Sequence, residues 1–268
     1  MNIGELGVGK AMPNTSHGQE WSEEETVLAF YLYCQIPFSK IRAGNPEIIR
    51  LAEFLQRTPN AVALKLSNLA HFDPELQKRG VSGMKHASKK DSEIFAKYEN
   101  KWEDLVAAAE EIIKKHKKEP ETQDSEQNLN IPEGLSVEQT VYGRQNQQFF
   151  RAAVLSSYQC RCCITGISVP ELLIASHIKP WAVSDAKTER TNPHNGLCLN
   201  CLHDKAFDRG LMTVLPDFTI RISSRILEDR SPGAKWLASC NNSKIEKPER
   251  FLPSREFLQY HNDVIFIP

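Results

Sequence analysis

The chain reads as an α+β protein: a helical N-terminal domain, a polar linker and a C-terminal domain built on a strand, a loop, a second strand and a helix. Three observations carry this. Residues 21–113 place apolar residues at helical spacing behind capping signals. Residues 114–133 lose every apolar period, running from Lys114-Lys115-His116-Lys117-Lys118 into a stretch rich in Glu, Gln, Asp and Asn. Residues 172–208 then show two short apolar runs of strand length and a helical segment.

Residues 1–20, small, polar and Gly-containing, are expected to be a disordered lead-in. Ser22 is a good N-cap, and Glu25 three residues on completes a capping box. A first helix is therefore expected over 23–34, with Val27, Leu28, Tyr31 and Leu32 as its apolar face. Asn45-Pro46 opens a second helix, with Ile48, Ile49, Leu51, Ala52 and Leu55 apolar. Thr58-Pro59 opens a third, buried through Val62, Leu66 and Leu69, after a gap short enough for a helix-turn-helix. Residues 91–113 read as one longer closing helix, and 114–135 as a helix end and linker. The second domain, 136–268, opens with a helix over 144–157. Strands are expected over 172–178 and 196–200, a helix over 201–208, and short strands over 211–215 and 218–222.

Composition sets bounds. The 268 residues suit two domains of ordinary size, and 40% hydrophobic with 25% charged residues is typical of a soluble globular protein. No apolar run approaches a membrane span, and the start M-N-I-G-E-L-G-V-G-K lacks the features of a secretory signal. Seven cysteines, an odd number clustered late in the chain, point to a reducing cytoplasm, with thiols free or metal-bound. The net charge of −1 weighs mildly against a nucleic-acid partner, although basic groups can still gather on one face.

The chemistry concentrates between Tyr158 and Thr213. His177 ends the first strand, Asn195 precedes the second, and His203 lies on the helix that follows. A base, an amide and a second imidazole at these intervals suit hydrolysis of a phosphodiester with one divalent metal. A neutral His177 can take a proton from water, since the ordinary histidine pKa lies near neutrality. The Asn195 amide would pin the loop or orient the His177 ring. A cation held partly by His203 would stabilise charge on the phosphate and the leaving oxygen.

The runs A-S-H-I, N-G-L, L-H and F-D-R-G-L resemble the HNH endonucleases of the ββα-metal superfamily, over about residues 144–215. The resemblance implies His177 as general base, Asn195 as structural asparagine, His203 as a ligand of catalytic Mg²⁺ or Mn²⁺, and DNA as substrate, in restriction or phage defence. Many members place a metal ligand directly before the base; here that residue is Ser176. Asp208, and after it Asp204, are the substitutes. Cys160 and Cys163 form one C-x-x-C, and Cys198 and Cys201 another, a pattern that suits a structural zinc. Buried core thiols are the other reading. The segment W-S-E-E-E with R-T-P-N-A-V-A-L-K-L resembles Myb-like or homeodomain-like DNA-binding helices, with Arg57, Asn60, Lys65 and Asn68 as candidate contacts. Docking of a partner protein is the other use of such a module, and a homodimer stays open.

Overall fold

The computed structural model describes residues 19–80, 88–116 and 137–268, with side chains omitted over 137–142. Most of the expected lead-in and linker thus lies outside the described residues. By packing, the chain divides into two compact units, Met1–Ala152 and Ala153–Pro268.

The N-terminal unit is helical throughout its described residues. Helix α1 (Glu23–Gln35) starts at the Ser22–Glu25 capping box. Helices α2 (Pro46–Leu55) and α3 (Pro59–Leu69) start at Asn45 and Thr58, whose side chains accept from the first-turn amides Glu47 N and Ala61 N. Gln56 supplies the left-handed residue that ends α2 before α3 begins. Four further helices follow: α4 (Pro74–Lys78), α5 (Lys89–Tyr98), α6 (Trp102–His116) and α7 (Val137–Ser157). Every residue of α1 from Glu25 to Cys34 is buried, beyond the single apolar face expected, because α2, α3, α5 and α6 all pack around it. The expected single helix over 91–113 is two, α5 and α6. Glu99 leaves the helical region and Asn100 turns left-handed, with φ 62°, which interrupts the hydrogen-bond ladder. The division between the units falls inside α7, downstream of the domain start read at residue 136. Before the division Phe149 stacks on Tyr31, and Gln145 donates to Glu110.

The C-terminal unit is built around a two-stranded antiparallel hairpin, β1 (Leu173–His177) with β2 (Gly196–Asn200). The register pairs His177 with Gly196 and Ser176 with Leu197. Helix α8 (Cys201–Asp208) follows β2 without a loop and packs on both strands, giving the β-β-α order read from the sequence. A second hairpin, β3 (Met212–Val214) with β4 (Ile220–Ile222), lies beyond it. Helices α9 (Ser224–Glu228), α10 (Pro232–Ala238) and α11 (Arg255–Tyr260) complete the unit, with a π turn over His261–Ile265.

Helix α8 is anchored at its C-terminal end. The His261 ring stacks on Phe207 at 3.6 Å, Nε2 donates to Phe207 O (3.2 Å) and Nδ1 meets Thr213 Oγ1 (2.9 Å). Gly210, just past α8, has φ 67°, and a Cβ there would lie 2.1 Å from Ile265 O. Only glycine meets both conditions.

Candidate active site

His177 stands at the end of β1, partly buried, with its ring edge toward Trp181 (centroids 5.5 Å apart). Its Nε2 lies 2.9 Å from the carbonyl oxygen of Arg190. A carbonyl only accepts, so Nε2 carries the proton and Nδ1 holds the lone pair. Burial pulls the His177 pKa below the ordinary 6.5, outweighing the upward pull of that carbonyl. The ring is therefore neutral at neutral pH, with a fixed tautomer and one basic nitrogen.

Asn195 sets up that arrangement from a distance. It is fully buried, and its Oδ1 accepts from Lys179 N (2.8 Å). Its Nδ2 reaches Lys179 O (3.1 Å), Glu189 O (3.3 Å) and Ser184 Oγ (3.4 Å), while its backbone oxygen accepts from Ile178 N (2.9 Å). One amide thus ties both ends of the 178–195 loop. Of the two roles open to Asn195, the geometry shows the loop pin, and the ring itself is oriented by Arg190. The sequence reading missed Arg190, because a backbone carbonyl leaves no mark in residue type.

Both ring nitrogens of His203 face protein groups. Asn200 caps α8, its Oδ1 accepting from Leu202 N (3.1 Å) and His203 N (3.0 Å). That capping fixes the amide orientation, so Nδ2 is the group 2.8 Å from His203 Nδ1. Nδ1 must then accept and Nε2 must carry the proton, which points at Cys240 Sγ, 3.9 Å away. Both nitrogens are committed, and a metal-ligating imidazole needs the opposite pattern, a donated N–H on the far side. In this arrangement the buried His203 ring is engaged by protein groups and holds the start of α8 in place.

Asp204 and Asp208 are placed differently. One turn apart, they share a face of α8. Burial raises the pKa of both carboxyls; at Asp204 the charge of Asp208 adds to this, while the Ser176 hydroxyl and Lys205 oppose it. Ser176 is 3% exposed, and its Oγ has no close hydrogen-bond partner. Two carboxylates and a buried hydroxyl beside one of them are hard oxygen donors of the kind Mg²⁺ and Mn²⁺ take. Among the described residues no three Asp, Glu, His or Cys side chains converge as a ready metal cage. The fit is to an ion that takes one or two carboxylates from the protein and the rest from water and phosphate.

The four cysteines of the two C-x-x-C pairs do not form one site. Cys163 and Cys198 are buried and Cys160 is half-buried, whereas Cys201, first residue of α8, is exposed. Cys198 lies mid-strand, so its side chain follows the strand's alternation, and Cys201 starts a new element facing outward. Burial raises the Cys163 thiol well above its usual range, and the neighbouring Cys162 and Cys198 add to this.

The N-terminal candidates are likewise redistributed. Arg57 forks onto Glu25 (2.6 and 3.0 Å), donates to Gln19 O and Glu20 O, and lies over the Trp21 ring at 4.4 Å. Burial pushes the Glu25 carboxyl up, but Arg57 and the Ser22 amide outweigh it and hold it below the ordinary range. Lys65, expected off the apolar face, is buried and ion-paired with Asp91. Both cations are internal, because α5 and the segment before α1 cover them. Asn60 is exposed and Asn68 half-buried.

Among the described residues no helix is long and apolar enough to cross a membrane. A search of curated proteins finds no match to the chain. The segment that holds His177, Asn195, His203, Asp204 and Asp208, residues 162–215, matches the family model described as HNH endonuclease, and likeness to that nuclease domain is what comparison establishes for it.

Proposed function

We propose that the C-terminal unit is a divalent-cation-dependent endonuclease that hydrolyses DNA phosphodiester bonds. The observation that carries this reading is His177: a partly buried, neutral imidazole, locked by Arg190 O with Nδ1 as its base, inside the segment similar to HNH endonucleases. His177 Nδ1 takes a proton from water as that water adds to phosphorus, and the bond from phosphorus to the 3′-oxygen breaks. Asn195 keeps the loop closed and so keeps the Arg190 carbonyl on the ring. Asp204 and Asp208 would hold Mg²⁺ or Mn²⁺, with the Ser176 hydroxyl beside them. When bound, the ion supplies positive charge against the phosphate and the departing oxygen.

If the N-terminal unit contributes DNA contacts, Asn60 and Asn68 are the candidates that remain, since Arg57 and Lys65 are used internally. A setting in restriction or phage defence is supported by the resemblance of the A-S-H-I, N-G-L and F-D-R-G-L runs. The test is cleavage of plasmid and phage DNA with and without Mg²⁺ or Mn²⁺, by the wild type and His177→Ala. Losing the base should slow cleavage by about 10²–10⁴. No cation-dependent cleavage by the wild type, with DNA binding intact, would favour a non-catalytic DNA-binding protein instead.

A further inference from the structure

We propose that the Arg190 guanidinium is the phosphate-binding cation of this site, gripping one backbone phosphate of the DNA beside His177. The inference rests on the nuclease reading above and adds to it a residue that neither the motif nor its spacing marks.

Four observations lead to it. The peptide oxygen of Arg190 is the one that holds His177 Nε2, at 2.9 Å, so this residue is fixed next to the base. Its guanidinium lies over the Trp181 ring at 5.2 Å, and the edge of the same ring meets His177 at 5.5 Å. Cation, aromatic ring and base thus form one continuous, half-buried surface. Only Nε of the guanidinium is bonded, to Ser184 O at 3.0 Å; the two Nη groups have no hydrogen-bond partner among the described residues. Exposed Asp185 feels the Arg190 charge but is not hydrogen-bonded to it, and its Oδ1 is committed to Lys187 N, Thr188 N and Thr188 Oγ1.

Of the two lysines in this loop, Lys187 is exposed, and Lys179, two residues from the base, is otherwise engaged. Lys179 pairs with Glu189 at 2.5 Å and lies over Tyr260. Arg190 is therefore the cation next to His177 with donors to spare. A guanidinium placed over an indole and tied through Nε has lost part of its rotational freedom before substrate arrives, and its two Nη groups can grip a phosphate through two oxygens. The contact reads no base, so it is indifferent to sequence.

The test is binding of a short fluorescent duplex by the full chain in EDTA, which isolates binding from cleavage, followed by anisotropy across salt concentration. Arg190→Gln keeps a donor for Ser184 O and removes the charge. It should weaken binding roughly tenfold at low salt. The slope of log affinity against log salt should fall by about 0.9, as expected for one phosphate lost. The ratio of wild-type to variant affinity should therefore shrink about 3.5-fold between roughly 50 and 200 mM salt. Arg190→Lys should keep the wild-type slope while cleaving more slowly, since a point charge replaces the fork. Lys187→Gln, in the same loop, should change the slope less. A purely structural role would lower affinity equally at every salt concentration.

An unchanged slope in Arg190→Gln, with wild-type binding intact, overturns this assignment and leaves the nuclease reading standing. If Arg190→Gln does not fold, Arg190→Lys decides: a slope that drops despite the retained charge overturns the proposal. A wild-type chain with no DNA affinity at low salt overturns both readings.

Discussion

Replacing Lys65 with Met should destabilise the N-terminal unit rather than remove a DNA contact. The side chains of Lys65 and Asp91 are 5% and 1% exposed and form an ion pair, with Lys65 Nζ also 4.9 Å from the Trp21 ring. Burial drags the lysine pKa below its ordinary value against the pull of Asp91, so desolvation outweighs attraction for the ammonium itself. The cost of losing the lysine is therefore the carboxylate it strands. Met fills most of the volume of the stem, which keeps the cavity contribution small. Breaking a buried pair by removing one partner costs about 3–5 kcal/mol. Asp91 keeps its capping-box bond from Ser88 N at 3.0 Å, which places the cost near the lower end, about 3 kcal/mol. For a unit of this size that is a drop of roughly 6–12 °C in melting temperature. The double variant Lys65→Met/Asp91→Asn leaves no buried charge and retains a capping side chain, so it should recover most of the loss. Thermal and urea unfolding of the full chain, followed by circular dichroism, measures all three proteins. If Lys65→Met melts within about 1 kcal/mol of the wild type and yet binds DNA poorly, Lys65 faces substrate and the reasoning fails.

Gly210→Ala should destabilise the C-terminal unit by about 2 kcal/mol or more, from a left-handed φ and a Cβ 2.1 Å from Ile265 O; a wild-type melting curve would show that the α8 exit is not as described. Cleavage should rise with pH as His177 loses its proton, and since burial lowers its pKa, the acid limb should lie below the ordinary 6.5; a limb at higher pH under single-turnover conditions would contradict the buried base. His203→Gln should lower the melting temperature while leaving Mn²⁺ affinity in calorimetry near that of the wild type. Asp204→Asn should do the reverse, weakening Mn²⁺ binding at least about tenfold. Lost Mn²⁺ binding in His203→Gln, with the fold intact, would restore that histidine to the metal site.

Much of this architecture is written locally in the chain. The caps at Ser22, Asn45 and Thr58 act within one turn of their own helices, so residue type and spacing suffice to place α1, α2 and α3. The same holds for β2 and α8, whose shared boundary residue Asn200 is both strand end and cap. His177 and Asn195 were legible because the motif brackets one hairpin, whose register pairs His177 with the residue after Asn195. What the sequence could not show is whatever depends on a partner far along the chain or on a group without a residue signature. Arg57 and Lys65 look like free cations until packing brings Glu25, 32 residues away, and Asp91, 26 residues away, against them. The capping amide that commits His203 Nδ1 follows from the orientation of Asn200, not from spacing. The C-x-x-C pairs share a spacing with zinc sites, but the strand points one sulfur inward and the helix start turns another out. The proton on His177 is placed by a carbonyl 13 residues downstream, and every residue type has one; only the folded loop decides which of them meets the ring.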